Sequence, residues 1–312
     1  MNFKVATFNL FQFCSYKYSF YTKKDRFSKK EWEEKKAWIK AQLKKMDCDI
    51  VGFQEVFSQD ELQELCLEVG FKEFISVDSA KLENNIFKTT TVALASKFKI
   101  EKVEKVATKD DFKFQREPIK ATILLENGTK ILFYVAHLKS NRLNEFEYKF
   151  NENTSFEEKI SKMQTALKNG YSNSLKQRLN EAKTLFFDIK NSKIATILVC
   201  DLNDKEFSLT IDFLTNKRFH FKNLQKDSFI LYDSYNLAPK KVYNPHPEFK
   251  GFKRVATSYF VGYANTLDYI FVSKHFINKV TDFKVFDEHL QKNRYGSLKQ
   301  SDHAQVVSTI SL

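Results

Sequence analysis

Acidic, amide and imidazole side chains stand at the boundaries of apolar segments throughout this 312-residue sequence. In TILVCDLNDKE, residues 196–206, four apolar residues lead directly into Asp201, and Asn203 follows two positions later. Each such residue alone is typical of a turn or a helix cap, because Asp and Asn favour both. Clustered carboxylates, however, repel one another and destabilise a fold unless a cation lies among them. The set therefore indicates a cation-binding reaction site, and its other members are Asn9, Gln54, Glu55, His137, Asp268, Asp302 and His303.

Short apolar segments alternate with amphipathic ones along the chain. The predicted strands, rich in Val, Ile, Phe and Thr, are residues 3–8, 50–53, 91–96, 117–125, 131–136, 194–200, 268–272 and 305–311. The predicted helices are residues 29–46, 59–68 and 174–189. Asn127-Gly128 joins two strands directly, which predicts a hairpin and therefore mixed sheets. No repeat and no Pro/Gly-rich linker divides the sequence, so we predict one domain over residues 1–312.

The order of the polar residues resembles that of the endonuclease/exonuclease/phosphatase superfamily. This superfamily includes pancreatic-type deoxyribonuclease, exonuclease III-like repair enzymes, inositol polyphosphate phosphatases and neutral sphingomyelinases. Its motifs (N, QE, R, H, DxN, D, DH) are matched in sequence by Asn9, Gln54-Glu55, Arg116, His137, Asp201-x-Asn203, Asp268 and Asp302-His303. The resemblance covers nearly the whole chain. It implies an α/β fold, a four-layer α/β sandwich in which two mixed β-sheets pack face to face with helices on the outside.

The resemblance also implies a divalent metal, Mg²⁺ or Mn²⁺. Hydrolysis of a phosphoester requires that the charge developing on the phosphate be neutralised. Mg²⁺ prefers hard oxygen ligands, which Glu55 and Asn9 can provide. Asp302, from the far end of the chain, is the third candidate metal ligand.

The remaining motif residues acquire catalytic roles from the same resemblance. The DxN pair, Asp201 and Asn203, would orient or deprotonate the attacking water and contact the phosphate. His303 and His137 would contact the phosphoryl oxygens. Asp268 would orient His303, since a carboxylate beside an imidazole raises its basicity.

Two arginines and one cysteine need separate interpretation. Arg116, in FQREPIKATI, matches the family's arginine near a strand start, where a guanidinium can hold a phosphate through two bonds. Arg178, in LKQRLNEA, is interpreted as part of a solvated helix face. Cys200 replaces the glycine that usually precedes the Asp of the DxN motif, and a small residue there suits a buried strand end.

These features together predict a divalent-metal-dependent phosphodiesterase that hydrolyses nucleic acid, a DNase-like nuclease, by in-line attack of water on phosphate. DNA is the expected substrate in preference to RNA. One alternative is a phosphomonoesterase or lipid phosphodiesterase of the same fold, and another is a catalytically inactive nucleic-acid-binding module. The motifs of the inositol phosphatase branch are incomplete in this sequence.

The net charge of +12 favours polyanionic partners, with nucleic acid first and an anionic membrane surface second. Residues 233–266 form a long basic and aromatic segment. One interpretation is a surface that binds a nucleic-acid backbone, with aromatic rings on which bases stack. The other is a solvated loop that packs on its own aromatic residues. The cations and rings in question are Lys240, Lys241, Lys250, Lys253 and Arg254, with Tyr243, Phe249, Phe252 and Tyr259.

Cysteine content and hydropathy suggest where the protein acts. The four cysteines show no CxxC pairing, so buried thiols are expected. No segment approaches the ~18 apolar residues of a membrane span. The sequence begins directly with a strand pattern, so we expect a cytoplasmic protein, or a secreted one if a leader has been removed. A monomer without stable membrane association is expected.

Overall fold

The computed structural model describes residues 1–109, 112–141, 150–170, 173–220, 229–240, 254–260, 263–290 and 300–312. The strands are β1 (Asn2–Phe13), β2 (Ser19–Phe20), β3 (Ile50–Val56), β4 (Glu73–Ile75), β5 (Leu82–Glu83), β6 (Ile86–Phe87), β7 (Thr91–Ser96), β8 (Lys99–Glu104), β9 (Ile119–Leu124), β10 (Lys130–His137), β11 (Thr196–Asp201), β12 (Tyr232–Asp233), β13 (Ser258–Phe260), β14 (Tyr263–Asn265), β15 (Asp268–Val272), β16 (Val280–Phe286) and β17 (Gln305–Ser311). The α-helices are α1 (Lys29–Met46), α2 (Gln59–Glu68), α3 (Phe156–Lys168), α4 (Asn173–Ser192), α5 (Leu209–Thr215) and α6 (Ser234–Leu237). Short 3-10 helices cover Lys217–Phe219 and Lys274–Phe276.

Two six-stranded mixed sheets dominate the described residues. The first sheet has the strand order β16-β17-β1-β3-β7-β4, and the second has the order β12-β15-β11-β10-β9-β8. Each sheet contains one parallel pair, β1 with β3 and β10 with β11, and is otherwise antiparallel. The predicted hairpin at Asn127-Gly128 is confirmed by the antiparallel pairing of β9 with β10.

The two sheets pack face to face through a buried apolar cluster. Val5 and Ile50 of the first sheet contact this cluster, as do Val135 and Val199 of the second. The closest approach is at Gly52 in β3, where an added Cβ atom would lie 2.4 Å from a methyl group of Val199 and 2.8 Å from Val135. Only glycine fits there without displacing a strand of the opposite sheet.

Helices cover both outer faces. Alternation along β1 turns Phe8 outwards, where it joins a cluster that includes Trp32 of α1 and Leu62 of α2. On the other side, α4 and α5 cover the second sheet, and Leu185 and Leu214 are buried there. The layers are therefore helix, sheet, sheet, helix, and the predicted four-layer sandwich is confirmed.

Local signals account for the helix boundaries that the sequence predicts. Ser28 and Glu31 form a reciprocal capping box at the start of α1, and Asp47 ends the helix in the left-handed conformation. The four cysteines are buried free thiols, as expected. None of the helices in the described part of the chain combines the length and the apolar character that crossing a bilayer requires.

Candidate active site

Three adjacent strands of the second sheet place three polar side chains at one edge. Because β10 and β11 are parallel, their last residues, His137 and Asp201, are register partners. The antiparallel strand β15 begins at Asp268, the partner of Asp201 on the other side. His137, Asp201 and Asp268 are all buried and form one row at the strand ends.

The first sheet contributes a side chain to the same point. Asn9, buried in β1, donates from Nδ2 to Asp201 Oδ2 across the sheets at 2.8 Å. Its Oδ1 accepts the Phe11 amide at 2.9 Å. Register between β1 and β3 shifts after Asn9, and Phe11 and Gln12 have φ values of 48° and 60°. Alternation along β1, which places Phe3 and Val5 between the sheets, also directs Asn9 towards the second sheet, and the bulge follows directly after it.

Asp201 uses both carboxylate oxygens. Oδ1 accepts the Asn203 amide at 2.8 Å, so the turn expected of an ordinary Asp is present. Oδ2, however, accepts from Asn9 and lies 3.4 Å from His137 Nε2. Burial raises the pKa of the Asp201 carboxyl to about 7; the His303 imidazolium opposes this rise and the Asp268 carboxylate adds to it. A buried carboxyl with a pKa near neutrality is suited to accepting a proton.

His303 forms a buried ion pair with Asp268. The distance from Nδ1 to Asp268 Oδ2 is 2.8 Å. Burial alone would lower the pKa of His303, but the carboxylates of Asp268 and Asp201 raise it well above the usual value. One side-chain oxygen or nitrogen atom from each of Asp201, Asp268 and His303 lies within 4.8 Å of the other two. His303 is therefore a fixed imidazolium between two carboxylates.

His137 has the opposite electrostatic state. Burial lowers its pKa well below the usual value, and the positive charges of Arg116 and His303 lower it further. Its Nδ1 has no hydrogen-bond partner among the residues that the structure describes. A neutral imidazole beside Asp201 can orient a hydroxyl or phosphoryl oxygen without adding charge.

Glu55 and Asp302 form a second acidic pair next to this cluster. Glu55 has a φ of 60°, and its Oε2 accepts the Gln12 amide at 2.9 Å. Burial raises the pKa of Asp302 to about 6, with His303 opposing the rise and Glu55 adding to it. The buried Oδ1 atom of Asp302 makes no hydrogen bond to any described residue. A divalent cation between these carboxylates would neutralise the repulsion between Glu55 and Asp302 and would bind the Asp302 oxygen that has no hydrogen-bond partner among the described residues.

This oxygen-rich pair suits Mg²⁺ or Mn²⁺ better than the neighbouring cluster of Asp201, Asp268 and His303 does. In that cluster the imidazolium already neutralises the carboxylates through a 2.8 Å bond. Glu55 and Asp302 offer the hard oxygen donors that these ions prefer. The ligand set of Asn9, Glu55 and Asp302 stays a prediction.

A buried lysine holds the acidic pair in place. Lys35 of α1 is 1% exposed, and its Nζ donates to the carbonyl oxygens of Phe11 at 2.8 Å and Gln300 at 2.6 Å. The Ser301 hydroxyl donates to the Asn9 carbonyl at 2.8 Å. These bonds join the bulge of β1 to the segment that carries Asp302, so residues 292 positions apart are held together.

Arg116 lies next to Asn203 and the end of β10. Its Nη1 donates to the Leu138 carbonyl at 2.9 Å, and Asn203 Nδ2 donates to the same oxygen at 3.1 Å. Burial of its hydroxyl and the nearby Glu55 carboxylate raise the pKa of Tyr21, whereas the positive charge of Arg116 lowers it. The guanidinium is fixed beside Asn203, and a guanidinium held in this way is suited to binding a phosphate.

The interpretation of Arg178 as a solvated residue is wrong. Arg178 is 0% exposed; its Nε lies 3.4 Å from Asp204 Oδ2 and its Nη1 donates to the Lys139 carbonyl at 3.3 Å. One turn along α4, the buried Glu181 accepts the amides of Gln115 at 2.9 Å and Lys139 at 2.7 Å. These two residues support the segments that carry Arg116, His137 and Asp201 from behind.

Glu181 is a supporting residue that sequence reasoning does not find. The only signal in the sequence is that Arg178 and Glu181, three positions apart, lie on the helix face that also carries the apolar residues. Such a charged pair is usually solvated. The backbone amides that Glu181 accepts lie 42 and 66 positions away in the chain.

The basic and aromatic segment at 233–266 needs correction where the structure describes it. Arg254 is 3% exposed, forms an ion pair with Asp233 and lies over the ring of Tyr235 at 4.2 Å. Tyr259 is also buried. Neither can serve as an exposed contact for a nucleic-acid backbone, whereas Lys240 is exposed. The other proposed contacts, at 241–253, lie outside the described residues.

A histidine near the site should make stability depend on pH. His289 Nε2 donates to the His303 carbonyl at 3.0 Å, and burial lowers the pKa of His289 from 6.5 to about 4. Between these values the unfolded state binds a proton that the folded state does not, so stability falls as pH falls through this window. We expect His289 to contribute about 2 to 3 kcal/mol of this loss.

The measurement is urea unfolding of the parent and of His289→Gln at pH 7 and pH 4.5. Glutamine can still donate to the His303 carbonyl but does not titrate. The variant should lose less stability between the two pH values than the parent does. Equal losses would show that other groups cause the dependence.

Comparisons with known proteins agree with this geometry. The Endonuclease/Exonuclease/phosphatase family pattern matches residues 6–303. Comparison with the curated proteins gives no significant match. Among solved structures, an endonuclease/exonuclease/phosphatase family protein from Bacteroides thetaiotaomicron is similar at 17% identity and a TM-score of 0.61, over 100% of this chain and 99% of the other.

Two further solved structures carry names that indicate an activity. A mannosyl-6-phosphatase from Bacteroides thetaiotaomicron has 16% identity and a TM-score of 0.60, over 99% of this chain and 100% of the other. An AP endonuclease from Archaeoglobus fulgidus has 16% identity and a TM-score of 0.55, again over 99% of this chain and 100% of the other. At such identities the likeness establishes a shared fold.

Proposed function

The chain belongs to the endonuclease/exonuclease/phosphatase family, and we propose that it is a divalent-metal-dependent phosphodiesterase that hydrolyses nucleic acid. Family members are hydrolases of phosphoester bonds, so the reaction class follows from membership. The observation that supports catalysis by this chain is the position of Asp201, between Asn9 and His137 and beside the imidazolium of His303.

Asp201 is the proposed general base. With a pKa of about 7, its carboxylate can take a proton from the attacking water and remain a stable acid until the product leaves. Asn9 and the Asn203 amide hold the carboxylate by one bond to each oxygen, which fixes its direction. Asn203 and the neutral His137 are placed to orient the water or a phosphoryl oxygen.

Positive charge at the site would stabilise the phosphorane-like transition state. His303 is held as an imidazolium by Asp268, and Arg116 is held by the Leu138 carbonyl. Both groups are oriented before substrate binds, so little reorganisation is needed during reaction. A divalent cation held by Glu55 and Asp302, with Asn9 alongside, would supply further charge neutralisation at the phosphate.

Nucleic acid is the proposed substrate, with DNA preferred to RNA. The net charge of +12 favours a polyanion that extends beyond the scissile phosphate. A phosphomonoesterase or a lipid phosphodiesterase would need recognition of one small head group, for which such a surplus has less use. The likeness to a mannosyl-6-phosphatase extends to the fold, so sugar phosphates belong among the substrates to be tested.

The test is a substrate panel with purified protein. Labelled single- and double-stranded DNA, RNA, a sugar phosphate and phosphoinositide and sphingomyelin vesicles are each incubated with Mg²⁺, with Mn²⁺ or with EDTA. We expect metal-dependent cleavage of nucleic acid. Release of phosphate from the monoester alone, or lipid hydrolysis alone, would replace the proposed substrate. Binding of nucleic acid without any cleavage would identify an inactive binding module.

Salt dependence gives an independent prediction. If several Lys and Arg residues hold the substrate backbone, affinity should fall about a hundredfold or more between about 50 and 200 mM salt, because counterions are released on binding. Fluorescence anisotropy of a labelled oligonucleotide in EDTA measures this without cleavage. A flat dependence would contradict binding through the backbone.

A further inference from the structure

An open basic cleft lies in the part of the chain that also carries Tyr21, a neighbour of Arg116 and Glu55. It has a volume of about 740 Å³ and lies between residues 16–26 and the hairpin of β5 and β6. Lys17, Lys23, Lys24 and Arg26 line it, and no acidic residue does. All four cations are exposed to solvent. The cleft therefore presents four positive charges in one concave surface.

The walls of the cleft are ordered by backbone pairing. Strand β2 pairs with β6 in parallel, and β6 forms a two-residue hairpin with β5. The hairpin turn consists of Asn84 and Asn85, with φ values of 49° and 61°, as a tight hairpin turn requires. The Ser19 amide donates to the Asn85 carbonyl at 3.0 Å. The residues that carry these cations therefore belong to a hydrogen-bonded part of the chain.

The four charges are not neutralised within the described part of the chain. None of them forms an ion pair with any described carboxylate, and the adjacent Asp25 accepts from the Thr22 hydroxyl. Elsewhere on the surface lysines do pair with acids, as Lys40 does with Glu68 at 2.7 Å. Like charges held together repel one another, and a bound polyanion relieves that repulsion.

Aromatic residues connect the cleft to the catalytic groups. Tyr16 and Tyr18 are half-buried in its lining. Tyr21, on the same segment, is 42% exposed and packs against Phe57 at 5.4 Å between ring centroids. Its hydroxyl lies close enough to Arg116 and Glu55 for their charges to act on it. A strand whose phosphate is held at Arg116 could therefore continue over Tyr21 towards the lysines.

We propose that this cleft binds the backbone phosphates of a nucleic-acid strand beyond the scissile phosphate, with the Tyr21 ring as a platform for the adjacent base. The inference rests on the proposed function and names the part of the chain that binds its polymeric substrate. Alternating cations and aromatic rings are suited to a single strand, because phosphates follow the charges and bases stack on rings. A flat bilayer surface would not reach into a concave cleft.

The test compares Lys23→Gln/Lys24→Gln with Lys274→Gln/Lys279→Gln. The control lysines are also exposed and free of ion pairs with described residues, but they follow β15 at the end opposite Asp268. Binding of labelled single-stranded DNA of roughly 6 and roughly 20 nucleotides is measured in EDTA over a salt series. In EDTA the strand is not cut, and the protein's own cations provide the binding.

The cleft variant should bind the longer strand about tenfold more weakly, and its slope of log affinity against log salt should fall by about 1.4 relative to the parent. The loss should grow with strand length, and the control variant should match the parent. Equal losses in both variants, or none in either, would overturn the cleft assignment while leaving the proposed function intact.

Two further outcomes separate the cleft assignment from the proposed function. A parent that binds no nucleic acid would overturn the proposed substrate and the cleft assignment together. Selective loss of binding to phosphatidylserine vesicles, with nucleic-acid binding unchanged, would assign the cleft to a membrane surface.

Discussion

Replacing Asp201 with Asn is expected to lower kcat by about a hundredfold or more, because a neutral amide cannot accept a proton from the attacking water. Substrate binding should be retained or strengthened, since the change removes a negative charge next to the phosphate. The structure also predicts a cost in stability. An amide nitrogen at position 201 would face either Asn9 Nδ2 or the Asn203 amide, so one donor would lose its acceptor, at about 1 to 3 kcal/mol.

A second substitution separates this cost from catalysis. In Asn9→Asp/Asp201→Asn the donor and acceptor exchange places, so the bond across the sheets can form again, and the carboxylate introduced at position 9 can still accept the Phe11 amide. The double variant should recover thermal stability relative to Asp201→Asn but should not recover turnover. Near-normal turnover in Asp201→Asn would reduce Asp201 to a turn-forming residue.

Replacing Glu55 with Gln is expected to abolish binding of Mg²⁺ and Mn²⁺ and, with it, hydrolysis. The amide oxygen of Gln can still accept the Gln12 amide, so the irregular backbone of β3 at position 55 should keep this bond. The lost negative charge is the contribution that a hard divalent cation needs most. The melting temperature without metal should change little.

Titration calorimetry of each ion into the parent, Glu55→Gln and Glu64→Gln provides the measurement. Glu64 is an exposed glutamate on α2 and controls for the general loss of one surface charge. The control should bind metal as the parent does. A Glu55→Gln isotherm equal to the parent's would contradict the ligand assignment and would direct attention to Asp201, Asp268 and His303.

Much of the fold could be predicted because its signals are local. Residues 29–46 and 59–68 are helices with the predicted bounds, and residues 91–96, 268–272 and 305–311 are strands with the predicted bounds. The apolar pattern predicts that β1 ends at position 8, but the strand continues to Phe13, since its bulge interrupts the pattern without ending the pairing. Asn9 therefore lies inside a strand, directly before the bulge.

Elements at the edges of the structure escape prediction for a physical reason. Strand β8, Lys99–Glu104, contains four charged residues, and none of its residues is buried. Its pairing with β9 depends on backbone hydrogen bonds, which leave no apolar pattern in the sequence. Strand β16, at the edge of the first sheet, has only Val280 and Phe283 buried, three positions apart, so it lacks the two-residue alternation of a strand.

The site residues were predictable by type, but their supporting residues were not. In the sequence pattern Asn9, His137, Asp201, Asp268 and His303 stand at the boundaries of predicted strands, and the fold brings them together. Buried polar residues on a helix look in sequence like solvated ones, because the backbone groups that satisfy them lie far away in the chain. Arg254 illustrates the same difficulty, since its partner Asp233 lies 21 positions before it.

The glycine between the two sheets has a consequence for how the chain tolerates mutation. Asn9 and Glu55 belong to the first sheet, whereas His137, Asp201 and Asp268 belong to the second. The separation of the sheets therefore sets the separation of the proposed base from the proposed metal ligands. A methyl group at position 52 would meet Val199 at 2.4 Å and push the two halves of the site apart. Selection for activity should thus restrict position 52 to glycine as strictly as it restricts the catalytic residues, although no substrate atom needs to touch it.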